Sequence, residues 1–145
     1  MKERRVGVLG GTFDPPHHGH VGLAAFAQRV LALDKIIFVP CHTPPHRHRK
    51  TPAALPLDRF AMCVLATARR ASWSVSTFEL ETRRRVWTLD MLTRLRREER
   101  GARLFFLMGE DSLYDLPSWH RPGRLVEEFD IAVLHRTETK RRALP

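Results

Sequence analysis

The sequence predicts an α/β fold: an open, mostly parallel sheet with helices on both faces. Three observations lead there. Apolar runs at residues 5–10, 35–39, 103–108 and 130–134 have the length and the Val/Ile/Leu/Phe content of buried strands. Helical patterns lie between them, and strands alternating with helices argue a parallel sheet. The first apolar run ends on Gly10-Gly11 and leads through a turn-rich segment into a helix, which is the layout of an anion-binding corner.

Each element has its own signal. Residues 19–33 are apolar on most faces and predict a well-buried helix. Lys35 to Val39 is a buried strand stopped by Pro40. Residues 40–56 hold five prolines, three histidines and three basic residues without periodicity, so they read as a long loop of the kind that is functional or disordered. Residues 57–70 read as a helix, with Leu57, Phe60 or Ala61, Val64 and Ala68 on one stripe. Ser72 to Leu80 alternates weakly and predicts a short strand. Thr88 is placed to cap a helix over 89–100 with Leu89, Leu92 and Leu95 on one face, closed by Gly101. After the strand at 103–108, short helices are expected at 111–116 and 122–128, then the last strand and a polar, basic tail. Neither an internal repeat nor a linker divides the chain, so residues 1–145 read as one domain.

Composition narrows the class. The formal charge of +9, from 25 Lys+Arg against 16 Asp+Glu, favours anionic partners. Arginine far outnumbers lysine, and most of these arginines read as solvated surface. The basic residues are scattered rather than interleaved with aromatics, which argues against a nucleic-acid partner. No apolar run approaches the ~20 residues of a membrane span, and the N-terminal apolar segment is too short for a secretory signal. A soluble, cytoplasmic chain with no membrane partner is the expectation. Cys41 and Cys63 lack C-x-x-C spacing and read as free thiols. Neither a monomer nor a homo-oligomer is selected.

The corner carries the chemistry. It is not a Walker loop, since no G-K-[ST] follows, nor a G-x-G-x-x-G fingerprint. His17 and His20 stand three apart at a helix start, so both rings can lean toward one spot and donate hydrogen bonds to phosphate oxygens. His18 is expected to point elsewhere. A zinc centre from His17, His20, His42, His46 and His48 is the competing arrangement, but the spacing matches no common zinc pattern.

The string Gly10-Gly11-Thr12-Phe13-Asp14-Pro15-Pro16-His17-His18-Gly19-His20 resembles the H-x-G-H signature of the nucleotidyltransferase superfamily, and its opening most resembles nicotinate-nucleotide adenylyltransferases. The resemblance implies a Rossmann-like fold and transfer of an adenylyl group from ATP, with Mg²⁺ held mainly by the ATP phosphates, to nicotinate mononucleotide. The acceptor phosphate would attack directly, releasing pyrophosphate and forming nicotinate adenine dinucleotide. It further implies catalytic roles for His17 and His20, and an ATP site from Gly10, Gly11, Thr12, Phe13, His17, His20, Gly109, Asp111 and Arg136.

The same resemblance extends downstream. Pro44-Pro45-His46-Arg47 is similar to the family's P-P-H-K loop, which implies that Thr12, His46 and Arg47 meet the mononucleotide. Glu79 to Thr88 is similar to the E-L-x-R-x-G-x-S-Y-T segment, whose last two backbone N–H groups hold the nicotinate carboxylate. Here Trp87 replaces Tyr, while Arg84 and Val86 stand where Gly and Ser are expected. Asp90 follows as in the family, as support for the helix start. Met108-Gly109-Glu110-Asp111 followed by Trp119 is similar to the family's G-x-D-x-L…W segment and implies that Trp119 stacks on the nicotinate ring. The family's C-terminal I-S-S-T-x-x-R motif is absent before Pro145. A truncated chain, a lost site or a changed function are the readings of that departure. A different acceptor, such as nicotinamide mononucleotide or a phosphopantetheine-type substrate, and a non-catalytic nucleotide-binding module stand as the alternatives.

Overall fold

The sheet has five strands, all parallel, in the order β3-β2-β1-β4-β5. The computed structural model describes residues 2–44 and 51–135. In chain order the elements are β1 (Arg5–Gly11), α1 (His18–Val30), β2 (Lys35–Pro40), α2 (Pro56–Thr67), β3 (Trp73–Val75), α3 (Phe78–Thr82), α4 (Thr88–Glu98), β4 (Arg103–Gly109), α5 (Glu110–Asp115), α6 (Pro122–Glu128) and β5 (Asp130–Leu134). The strand order reverses between β1 and β4. Ligands of open α/β sheets bind at such a switch point, outside the carboxyl ends of the strands.

Strand pleating divides the core in two, because successive side chains leave a strand on opposite faces. Val6, Val8, Ile37, Val39, Leu104, Phe106 and Met108 pack with Leu89, Met91, Leu92 and Leu95 of α4 and Leu125 of α6. Leu9, Ile36, Phe38, Phe105 and Leu107 pack on the other face with Ala24 and Ala27 of α1, Cys63 of α2, and Trp73. The expected helices on both faces are therefore present, and the Leu89/Leu92/Leu95 stripe is buried as its spacing predicts. Among the described residues no helix is long and apolar enough to cross a membrane.

Several local expectations are corrected. The segment 72–80 is not one strand: β3 stops at Val75, and α3 begins at Phe78. The Ser76 hydroxyl accepts the Phe78 N–H at 3.2 Å while the Ser76 N–H still bonds to Phe38, so the chain turns out of the sheet there. The apolar stripe read on α2 faces outward. Leu57 is 73% and Val64 42% exposed, whereas Arg59, Cys63 and Thr67 are buried at i, i+4 spacing. α1 is less buried than its composition suggests: only Ala24 and Ala27 are fully buried, Val21 and Leu23 pack against the core half-buried, and Val30 is 57% exposed. Thr88 is the first residue of α4, and Trp87, with no side-chain cap bond, holds the cap position. Gly101, three residues past the end of α4, does take the left-handed conformation that closing the turn requires (φ 79°).

Candidate active site

An open cleft of about 1260 Å³ lies outside the carboxyl ends of β1 and β4 and straddles both faces of the sheet. From the α1 side it is lined by Gly10, Gly11, Thr12, Phe13, His17 and His20. From the α4 side it is lined by Thr88, Met91, Gly109, Asp111 and Trp119. Residues drawn from four separate sequence segments thus meet in one cavity.

The two histidines fix each other through the backbone. His17 caps α1 in an extended conformation, and its Nδ1 accepts the Gly19 N–H at 3.0 Å. In return His20 Nδ1 accepts the His17 N–H at 3.1 Å. This is a capping box written in histidine. Each Nδ1 is an acceptor, so the proton of the neutral ring sits on Nε2. The rings stack 3.9 Å apart, and His20 meets the edge of the Phe13 ring at 4.8 Å. The positive end of the α1 dipole adds to this pair of ring donors. A Cβ at position 19 would stand 2.8 Å from the His17 ring, so the cap needs glycine there. His18 is exposed but also lines the cleft, against the expectation that it points elsewhere.

The corner before the histidines is strained and tied down. Phe13 is buried in the left-handed region (φ 52°), a conformation that costs a non-glycine residue roughly 1–2 kcal/mol. Asp14 accepts the N–H groups of Ala53 (2.7 Å) and Ala54 (3.0 Å), which hold its carboxyl below the ordinary carboxylate range. Arg59 from α2 is 1% exposed and donates to four carbonyls: Thr12 and Cys41 at 2.7 Å, His42 at 3.1 Å and Ala54 at 3.2 Å. One guanidinium thus joins the ends of β1 and β2 to the segment preceding α2. Composition alone does not flag Arg59, but an arginine i−4 from a buried cysteine on a helix that must face the sheet is the signal that could have found it. Beneath it lies Glu79, 5% exposed, whose pKa burial pushes up to about 8 against the opposing pull of Arg59. Burial also raises the Cys41 thiol, which donates to Thr12 Oγ1, and pushes Cys63 up to about 12; both cysteines are free.

On the other side, Trp119 packs edge-on against Phe106 of β4 at 6.0 Å. At Trp87 the expected contact is through the backbone; its ring is not among the residues lining the cleft and stacks on His120, centroids 5.0 Å apart and planes 17° from parallel. Asp111 is the second residue of α5 and exposed, in the first turn of a helix whose cap position is Gly109. His46, Arg47 and Arg136 lie outside the described residues. Among the described residues no three His, Cys, Asp or Glu side chains converge as a metal cage.

Comparison with known proteins adds an independent line. Residues 8–144 match the family model described as cytidylyltransferase-like. The chain is 44% identical over 125 residues to a protein named "probable nicotinate-nucleotide adenylyltransferase" from Thermomicrobium roseum, covering 85% of this chain and 57% of that one. It is 36% identical over 132 residues to a protein of the same name from Exiguobacterium sibiricum, covering 91% and 69%. The chain spans about three-fifths of the length of several such curated relatives. Among solved structures, the Plasmodium falciparum nicotinic acid mononucleotide adenylyltransferase complexed with NaAD superposes with a TM-score of 0.77 at 20% identity, over 93% of this chain and 66% of that one. That likeness shows the fold.

Proposed function

We propose, since this chain belongs to the cytidylyltransferase-like family, that it transfers an adenylyl group from ATP to nicotinate mononucleotide, releasing pyrophosphate and forming nicotinate adenine dinucleotide. The observation that carries the reading is the reciprocal His17–His20 cap in a cleft that also receives Thr88 and Trp119. Relatives of that name align along most of the chain and support the same reading.

The chemistry follows from the donors. The acceptor phosphate oxygen forms a bond to the α-phosphorus of ATP as the bond to the pyrophosphate oxygen breaks. Negative charge grows on the equatorial and leaving oxygens. No covalent enzyme intermediate is needed, so the site must position and stabilise charge. His17 and His20 present Nε2–H donors beside the α1 N-terminus, where an anion is favoured. The Gly10-Gly11 backbone admits the nucleotide closely, and Gly109 and Asp111 at the end of β4 take its ribose. The backbone at Trp87 and Thr88, beginning α4, receives the acceptor's carboxylate while Trp119 stacks on its ring. His46, Arg47 and Arg136 are assigned to the phosphates.

Mg²⁺ fits this donor set as an ion carried by ATP. It binds through phosphate oxygens and one or two carboxylates. Asp14 is engaged by two backbone N–H groups, Glu79 is buried and Asp111 is assigned to the ribose, so the ion would be held mainly by the phosphate oxygens. The ion would neutralise phosphate charge. The compartment proposed is the cytoplasm.

A side-by-side assay of pyrophosphate release with ATP and either nicotinate or nicotinamide mononucleotide tests the reading. Release with the nicotinate form, and several-fold less with the nicotinamide form, is expected. Equal or better use of the nicotinamide form overturns the acceptor assignment, and ATP binding without release overturns the reaction.

A further inference from the structure

Trp87 and His120 come from segments far apart in sequence, yet their rings lie face to face. Each is the immediate neighbour of a cleft residue: Trp87 precedes Thr88, and His120 follows Trp119. Both segments are bent by a non-glycine residue in the left-handed region, Arg83 (φ 54°) closing α3 and Arg121 (φ 50°) opening α6. Such residues hold their conformation only where surrounding contacts enforce it. The Arg85 guanidinium also lies 5.7 Å from the Trp87 ring centroid, a second contact fixing that ring from its own loop. Among the described residues, the Trp87–His120 stack is the ring contact that spans these two loops.

We propose that the stack of Trp87 on His120 is a clasp that sets the spacing between Thr88 and Trp119, and with it the affinity for the mononucleotide acceptor. The inference rests on the reading in which those two residues hold the acceptor. His120 is here a positioning residue: it touches Trp87, and acts through Trp119. The clasp explains why the aromatic at position 87 lies outside the cleft that its neighbours Val86 and Thr88 line. A pyridine ring sandwiched against Trp119 needs a gap of fixed width, and an offset aromatic pair with parallel planes resists both sliding and splaying of the loops that define it.

Calorimetric titration of nicotinate mononucleotide into the wild-type protein and the His120→Ala, His120→Phe and Trp87→Ala variants, with steady-state kinetics alongside, tests this. Removing a stacked pair weakens acceptor binding by roughly 3- to 10-fold. His120→Ala and Trp87→Ala should therefore raise the acceptor Kd and KM by that factor, while in His120→Ala the KM for ATP and kcat stay within about twofold. His120→Phe keeps the stack without the imidazole and should recover most of the affinity. In NMR spectra, the His120 ring protons should move downfield when Trp87→Ala removes the ring current. Wild-type binding left intact in His120→Ala overturns the clasp alone, as does a His120→Phe variant as weak as His120→Ala, or a His120 resonance indifferent to Trp87→Ala. A wild-type protein that binds no nicotinate mononucleotide overturns the proposed function and the clasp with it.

Discussion

The corner at residues 10–20 and the loops at 83–88 and 116–121 border the same cleft, but different forces hold them. The corner is fixed by hydrogen bonds to groups that cannot move independently: two imidazoles on backbone N–H donors, an aspartate on Ala53 and Ala54, and a buried guanidinium on four carbonyls. The loops are held by ring faces, Trp87 on His120 and Trp119 on Phe106. Directional bonds suit a site where phosphate oxygens must be met within a few tenths of an ångström as charge develops. Ring contacts suit a slot that must admit and release a flat base, since dispersion is strong in sum and shallow for each contact.

The comparison breaks most visibly at Arg59. Replacing it by Met leaves the carbonyls of Thr12, Cys41, His42 and Ala54 without their donor, and should lower stability by roughly 3–5 kcal/mol in denaturant unfolding. Arg59→Lys, which lacks the planar fork, should recover only part. A loss below about 1 kcal/mol would mean that the corner does not depend on this strut.

Glu79 gives a smaller, pH-dependent effect. Its carboxyl, ordinarily near 4.5, is held up to about 8 in the fold by burial. Between those values the folded protein keeps a proton that the unfolded chain releases. Stability therefore falls as pH rises from about 4.5 to 8 and levels off above. Glu79→Gln removes that slope and should gain on the order of 2–4 kcal/mol over wild type at pH 8.5, with little difference at pH 4.5. Urea midpoints of the two proteins at those pH values check it, and parallel pH dependences would contradict it.

The same contrast separates what the sequence made legible from what it did not. The strands at 35–39, 103–108 and 130–134 and the α4 stripe were readable because the hydrophobic effect writes burial as periodicity. The geometry of the His17-x-Gly19-His20 corner is legible because it is local: cap, ring and glycine lie within four residues. The stripe expected on α2 fails for the complementary reason. Its inward face is Arg59, Cys63 and Thr67, and Arg59 is buried by carbonyls contributed from residues 12, 41, 42 and 54, partners that no local pattern reveals. β3 and α3 were merged because the Ser76 turn that parts them is made by one side-chain bond. The Trp87 ring stacks on His120, more than thirty residues away in sequence, a partner no local pattern reveals.

In the proposed reaction the paired imidazoles serve the transition state rather than acceptor binding. The most direct measurement is kcat for pyrophosphate release together with the Kd for nicotinate mononucleotide in His20→Ala and His20→Asn, the latter retaining a side-chain acceptor for the His17 N–H. Loss of one such donor to developing charge lowers kcat by roughly 10²–10³-fold, and the acceptor Kd should stay within about threefold in both variants. Unchanged turnover in either variant, or a loss carried wholly by acceptor binding, would contradict the account.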